Sequence, residues 1–74
     1  MDSFETLGYK IYKNTEEKII YSKYLGDTMF SIELNKKTGR IEKFANDFRK
    51  IVEVLPDKDD VIALKAYLEN KTKE

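Results

Sequence analysis

The chain has 74 residues, with no cysteine, no histidine, and 14 basic side chains that balance 14 acidic ones. Disulfides and ordinary zinc sites are therefore excluded, and the balanced charge gives no domain-wide field that would attract nucleic acid or an anionic membrane. The length predicts one domain over residues 1–74. Because a core this small is often supported by a second subunit, a homodimer is one expected arrangement.

The first predicted element is a short helical turn over residues 3–8. Ser3 can cap it, Phe4 and Leu7 share one face at a spacing of three, and Gly8 can end it with a positive φ.

Three strands follow, over residues 9–13, 18–24 and 29–34, each rich in β-branched or aromatic side chains. The third alternates apolar and polar residues, which is typical of a strand with one buried face. Residues 35–39 then predict a hairpin loop, because asparagine and glycine tolerate positive φ.

A fourth strand is predicted over residues 40–45, but its alternation is degraded. Ile41 lies on one face of this strand and Phe44 on the other. A strand with apolar groups on both faces indicates that each face is covered, one by a helix and the other by something else.

Residues 48–55 fit two structures. The apolar spacing from Phe44 to Leu55 matches a helix, whereas three β-branched residues and the proline at position 56 favour a strand. We favour a short fifth strand.

The C-terminal segment predicts a helix with Asp57 as its N-cap. Its predicted apolar stripe consists of Val61, Leu64, Tyr67 and Leu68. Ala63 and Ala66 are small enough to allow close approach to a sheet. The predicted fold is therefore α+β: a short N-terminal helical turn, a four- or five-stranded antiparallel meander, and a C-terminal helix packed on one face of the sheet.

Catalytic chemistry has few candidates in this sequence. Without histidine or cysteine, the commonest general base and the best nucleophile are missing, and the three glycines are isolated rather than grouped in a phosphate loop. The acidic group at 57–60 lacks the spacing of a calcium loop and is explained by its place at a helix N-terminus. We expect no enzymatic activity, no catalytic residues, no metal and no cofactor.

A basic segment offers one binding hypothesis. Residues 35–52 carry six basic and two acidic side chains, with Phe44 and Phe48 among them. Basic groups interleaved with aromatic ones can bind single-stranded nucleic acid. The basic candidates are Lys36, Lys37, Arg40, Lys43, Arg49 and Lys50.

The tyrosines support a second hypothesis, a contact with a protein, since tyrosine is frequent at the anchoring points of interfaces. Tyr21 and Tyr24 fall on opposite faces of the second strand, so at least one faces away from the helix. The candidates for this contact are Tyr12, Tyr21, Tyr24, Arg40, Phe44 and Phe48.

Four segments together resemble small uncharacterised phage and prophage proteins of Gram-positive bacteria. They are the run from Phe4 to Tyr9, the pair Ile20-Tyr21, the run from Ile32 to Lys36, and the run from Ala63 to Glu69. The relatives often end in Glu-Leu-Gly-Trp, and this chain lacks the tryptophan.

The resemblance implies a phage-type accessory protein that acts by stoichiometric contact with a host or phage protein, for instance as an inhibitor of a host defence protein. It brings no catalytic residues. The first residues lack the basic and apolar regions of a signal peptide, and no apolar run reaches the roughly 20 residues that cross a bilayer. We therefore expect a non-enzymatic module in the cytoplasm of the bacterial host.

Overall fold

The computed structural model describes residues 3–72. The elements in chain order are α1 (Ser3–Thr6), β1 (Lys10–Asn14), β2 (Lys18–Leu25), β3 (Thr28–Asn35), β4 (Ile41–Asp47), β5 (Lys50–Val54) and α2 (Lys58–Thr72). The strands form one antiparallel sheet in the order β1-β2-β3-β4-β5. The predicted α+β meander is confirmed, with five strands. Neither helix of the described range is both long and apolar enough to cross a membrane.

The core lies between one face of the sheet and the two helices. Alternation along β3 places Ile32 and Leu34 on that face, where both are fully buried. The buried apolar residues are Phe4, Tyr9, Ile19, Tyr21, Ile32, Leu34 and Ala63. Burial of these side chains is the main source of stability, since the area they remove from water contributes roughly 25 cal/mol per Å².

The N-terminal turn closes one side of this core. Phe4 stacks on Tyr21 with ring centroids 4.7 Å apart and meets Tyr9 edge-on at 6.1 Å. The turn ends as predicted at Gly8, whose φ is 97°.

The β3–β4 connection is held by its own first residue. The side-chain oxygen Oδ1 of Asn35 accepts hydrogen bonds from the backbone N–H groups of Lys37 and Thr38, at 2.9 and 3.0 Å. Gly39 supplies the left-handed position with φ 73°, whereas Asn35 keeps an ordinary φ. The hairpin predicted at this position is confirmed.

Residues 48–55 contain a strand, not a helix. β5 pairs with β4 from Lys43↔Val54 to Asp47↔Lys50. The backbone favours this choice because β-branched side chains suit a strand and Pro56 holds the preceding residue extended.

The C-terminal helix begins as predicted, but its buried stripe is displaced. Asp57 Oδ1 accepts a hydrogen bond from the Asp60 backbone N–H at 3.0 Å, and Asp60 Oδ2 accepts one from the Asp57 N–H at 3.0 Å. This reciprocal cap turns Asp60 inward, where it is 1% exposed, and leaves Val61 46% exposed. The prediction that Val61 belongs to the buried stripe was therefore wrong; Ala63 is the small residue buried against the core.

Candidate interaction surface

The face of the sheet opposite the two helices carries a groove of about 500 Å³. We call this surface the open face. Side chains from all five strands line it: Tyr12, Ile20, Ser22, Tyr24, Met29, Ser31, Glu33, Phe44 and Ile51.

The strand registers explain the shape of the groove. Ser22 pairs with Ser31, and Ser31 pairs with Phe44, so two small side chains lie beside one large ring near the centre of the open face. Toward one end, Tyr24 pairs with Met29. The groove therefore has a floor with two hydroxyl groups and walls that are aromatic or aliphatic.

Two of the walls project into solvent. Tyr12 is 76% exposed and Tyr24 is 73% exposed. Tyr12 lies where the β1–β2 register shifts between Ile11 and Lys13, and such a bulge re-aims a side chain. An amphipathic ring of this kind offers a large apolar area and a hydroxyl to a partner at a low entropic cost.

The alternation of β4 is degraded because of a residue on the face that the helices cover. Ile41 and Lys43 point to the helices, and Phe44 points to the open face, as predicted for Ile41 and Phe44. A lysine therefore occupies a position that an apolar side chain usually takes.

Lys43 is 7% exposed because acidic groups beneath α2 receive its ammonium. Its Nζ lies 2.8 Å from Asp60 Oδ2 and 3.4 Å from Asp57 Oδ2. The Tyr9 hydroxyl donates to Asp60 Oδ1 at 3.1 Å. The Phe30 ring, whose centroid is 5.1 Å from Nζ, adds a cation–π contact.

Burial and charge set the pKa values in this cluster. Burial, together with the neighbouring Asp60 carboxylate, raises the pKa of Tyr9 to about 12. Burial alone would lower the pKa of Lys43, but its hydrogen bond to Asp60 and the surrounding negative charge raise it. The hydrogen bond from the Asp60 backbone N–H, helped by the Lys43 ammonium, lowers the pKa of Asp57.

The cluster is structural. Among the described residues, no buried side-chain nitrogen or oxygen lacks a hydrogen-bond partner. Lys43 and Asp60 are both enclosed, with side chains 8% and 1% exposed. Sequence reasoning missed this pair, although one signal was present: Lys43 lies between the apolar residues Ile41 and Ala45 on one face of β4.

The predicted partner-contact residues lie at four places in the fold. Tyr12, Tyr24 and Phe44 lie together on the open face. Phe48 is 88% exposed in the β4–β5 turn, close to Tyr24, whereas Arg40 lies at the far end of the sheet.

The prediction that Tyr21 contacts a partner was wrong. It is fully buried on the helix side, where it stacks on Phe4. Periodicity separated Tyr21 from Tyr24 but gave no indication of which face the helix covers. Tyr21 therefore contributes to the core, not to a surface contact.

The predicted basic segment does not form one patch. Lys36, Lys37 and Arg40 lie at the β3–β4 end of the sheet, and Arg49 and Lys50 lie at the β4–β5 end. Seven residues of strand separate the two groups, roughly 20 Å. The remaining basic candidate, Lys43, is buried beneath α2. The arrangement disfavours a continuous track for a nucleic-acid backbone.

Within residues 3–72, no group of three or more acidic side chains is placed to hold a metal ion. The carboxylates of Asp57 and Asp60, three residues apart in the sequence, are used by the helix cap and by Lys43.

No protein-family model matches this chain, and neither the curated proteins nor the solved structures include one detectably similar to it.

Proposed function

We propose that this protein is a non-enzymatic protein-binding module of the phage accessory type, which acts by stoichiometric contact with a host or phage protein. Inhibition of a host defence protein is one example of such a role. The resemblance of the sequence to phage and prophage proteins supports the biological setting, and the open face supports the mode of action.

The observation that carries the proposal is the position of Phe44. This ring lies on the face opposite the two helices, beside Ser31 and in the same groove as Ser22 and the exposed Tyr24. Exposed apolar groups that line a concave surface are typical of interaction sites, and aromatic anchors supply most of the affinity at such sites.

The alternative, single-stranded nucleic-acid binding by residues 36–50, has weaker support. Its basic side chains lie at two ends of the sheet, and one of them is buried. Binding of this kind would weaken steeply as salt rises. An affinity for short oligonucleotides with such a salt dependence would favour the alternative over a protein contact.

The test is affinity capture from the lysate of a Gram-positive host, with the wild type and Phe44→Ala as baits. We expect the wild type to retain a saturable partner and Phe44→Ala to bind it at least tenfold more weakly, the loss expected for a central aromatic anchor. Ile62→Ala is the matched control, because Ile62 is 55% exposed on α2, on the opposite side of the molecule.

Ile62→Ala should retain the partner. If the wild type and both variants retain the same proteins in equal amounts, the open face is not the contact surface. Thermal unfolding of each variant verifies that loss of binding does not reflect loss of the fold.

A further inference from the structure

The open face carries charges of opposite sign at its two edges. Lys10 pairs with Ser22, Ser22 with Ser31, Ser31 with Phe44, and Phe44 with Glu53, so these five residues form one row across the sheet. The row begins with a cation on β1 and ends with an anion on β5. Both charged side chains are exposed.

A second charge gradient runs in the same direction. Ile20 pairs with Lys13 on the β1 side and with Glu33 on β3, and Glu33 pairs with Glu42 on β4. Lys18 neutralises Glu33 at 3.0 Å, so the open face is basic along β1, at Lys10 and Lys13, and acidic along β4 and β5, at Glu42 and Glu53.

We propose that the open face also binds a second copy of this chain, related by a two-fold axis that runs along β3 and between the two sheets. This rotation places β1 of one copy over β5 of the other. It therefore brings Lys10 of each copy over Glu53 of the second, and it does so twice per dimer.

The same rotation brings large groups over small ones. Phe44 of one copy faces Ser22 of the second, so each ring enters the space above a short side chain. The exposed apolar groups beside this contact, which include Tyr12 and Tyr24, lose their contact with water. Sheets that pack face to face lie about 10 Å apart, a separation that side chains of this size fill.

The alternative two-fold axis, across the strands, is disfavoured by charge. It would place β1 over β1 and β5 over β5, so that like charges face each other along both edges of the interface. Juxtaposed like charges oppose association. At the two edges of the interface, charge therefore favours the axis along β3 over the axis across the strands.

This inference rests on the proposed function, since it names an occupant of the same surface. The second copy covers the open face in the absence of the heterologous partner, and the partner displaces it. Binding of the partner should consequently be accompanied by dissociation of the homodimer.

The test uses purified protein and sedimentation equilibrium over a range of concentrations. We expect a monomer–dimer equilibrium for the wild type. Lys10→Glu and Glu53→Lys should each weaken the homodimer about tenfold, because each change creates two like-charge contacts. Lys10 and Glu53 lie at opposite edges, four strand spacings or about 19 Å apart, so the changes do not act within one copy.

An equimolar mixture of the two single variants provides the decisive measurement. Both edge contacts of a mixed dimer are again of opposite sign, so the mixture should dimerise as well as the wild type, as should the double variant Lys10→Glu/Glu53→Lys. This recovery would not follow if the variants had simply failed to fold.

Three results would overturn the inference. They are a wild type that remains monomeric up to about 1 mM, single variants that dimerise like the wild type, and a loss of dimer in Glu53→Lys alone, which would indicate pairing through the β5 edge. A monomeric wild type that still captures a partner would leave the proposed function intact. A confirmed dimer without any captured partner would contradict the proposed function alone.

Discussion

The ammonium of Lys43 lies 2.8 Å from the carboxylate of Asp60, and this contact joins the middle of the sheet to the first turn of α2. Both side chains are buried, and Asp60 is also held by Tyr9 and by the Asp57 backbone. The Asp60 carboxylate therefore accepts hydrogen bonds from the Lys43 ammonium, the Tyr9 hydroxyl group and the Asp57 backbone N–H. The position of α2 on the sheet depends on this group.

Loss of the Asp60 charge should destabilise the fold strongly. Asp60→Asn leaves the Lys43 ammonium buried with only the more distant Asp57 as a counterion, and removal of one partner of a buried pair typically costs about 3 kcal/mol or more. Urea denaturation measures this change in the free energy of unfolding. The double variant Lys43→Met/Asp60→Asn should be more stable than Asp60→Asn, because the isolated cation is then absent.

The control for that experiment is an ion pair at the surface. Lys18 Nζ lies 3.0 Å from Glu33 Oε1, but the Lys18 side chain is 45% exposed and the Glu33 side chain 34% exposed. Lys18→Met should therefore cost less than about 1 kcal/mol. Equal losses in Lys18→Met and Asp60→Asn would contradict the structural role of the buried cluster.

The fold should lose stability in alkaline solution. The pKa of Tyr9 rises from its ordinary value of 10.0 to about 12, so the folded state holds this proton more tightly than the unfolded chain does. The corresponding stability is complete below pH 10 and is lost as the pH rises toward 12. The raised pKa of Lys43 acts in the same direction.

Tyr9→Phe tests this pH dependence. The wild type should lose about 2 kcal/mol more than the variant between pH 9 and pH 12, because phenylalanine has no proton to release. Urea unfolding at a series of pH values gives both curves. Parallel curves for the wild type and Tyr9→Phe would show that Tyr9 does not titrate as described.

Two glycines should differ in their tolerance of alanine. Gly26 and Gly39 both have positive φ, 65° and 73°, so alanine at either position should cost about 1 kcal/mol. A Cβ atom at position 39 would also lie 3.3 Å from Leu68 Cδ2, whereas nothing lies within 4 Å at position 26. Gly39→Ala should therefore lower the thermal midpoint further than Gly26→Ala, and the reverse order would refute the contact with Leu68.

Phe48 should be replaceable by glycine with a gain in stability. Its φ is 41°, which is unfavourable for a side chain with a Cβ atom, and its ring is almost fully exposed. Phe48→Gly should raise the free energy of unfolding by up to about 1 kcal/mol, since glycine is preferred at such hairpin positions. Arg49→Gly, at the adjacent position without positive φ, is the matched control and should not stabilise. A loss of stability in Phe48→Gly would show that the ring makes a contact that offsets the strain.

The strands could be predicted from the sequence because their pattern is local. The alternation around Ile32 and Leu34 determines which residues share a face, and Gly39 marks the turn. The pairing of Lys43 with Asp60 depends on two segments 17 residues apart. A buried lysine in a strand looks like a solvent-facing residue until the opposing helix is known. For the same reason periodicity could not decide whether Tyr21 or Tyr24 is buried.

The order of the elements has a consequence for synthesis of the protein. All five strands leave the ribosome before α2, the helix that covers them. During that interval the nascent chain exposes the apolar side of its sheet, and Lys43 has no counterion there. Because each strand pairs with its neighbour in the chain, the sheet can form early, but its apolar side stays open to aggregation until α2 is translated.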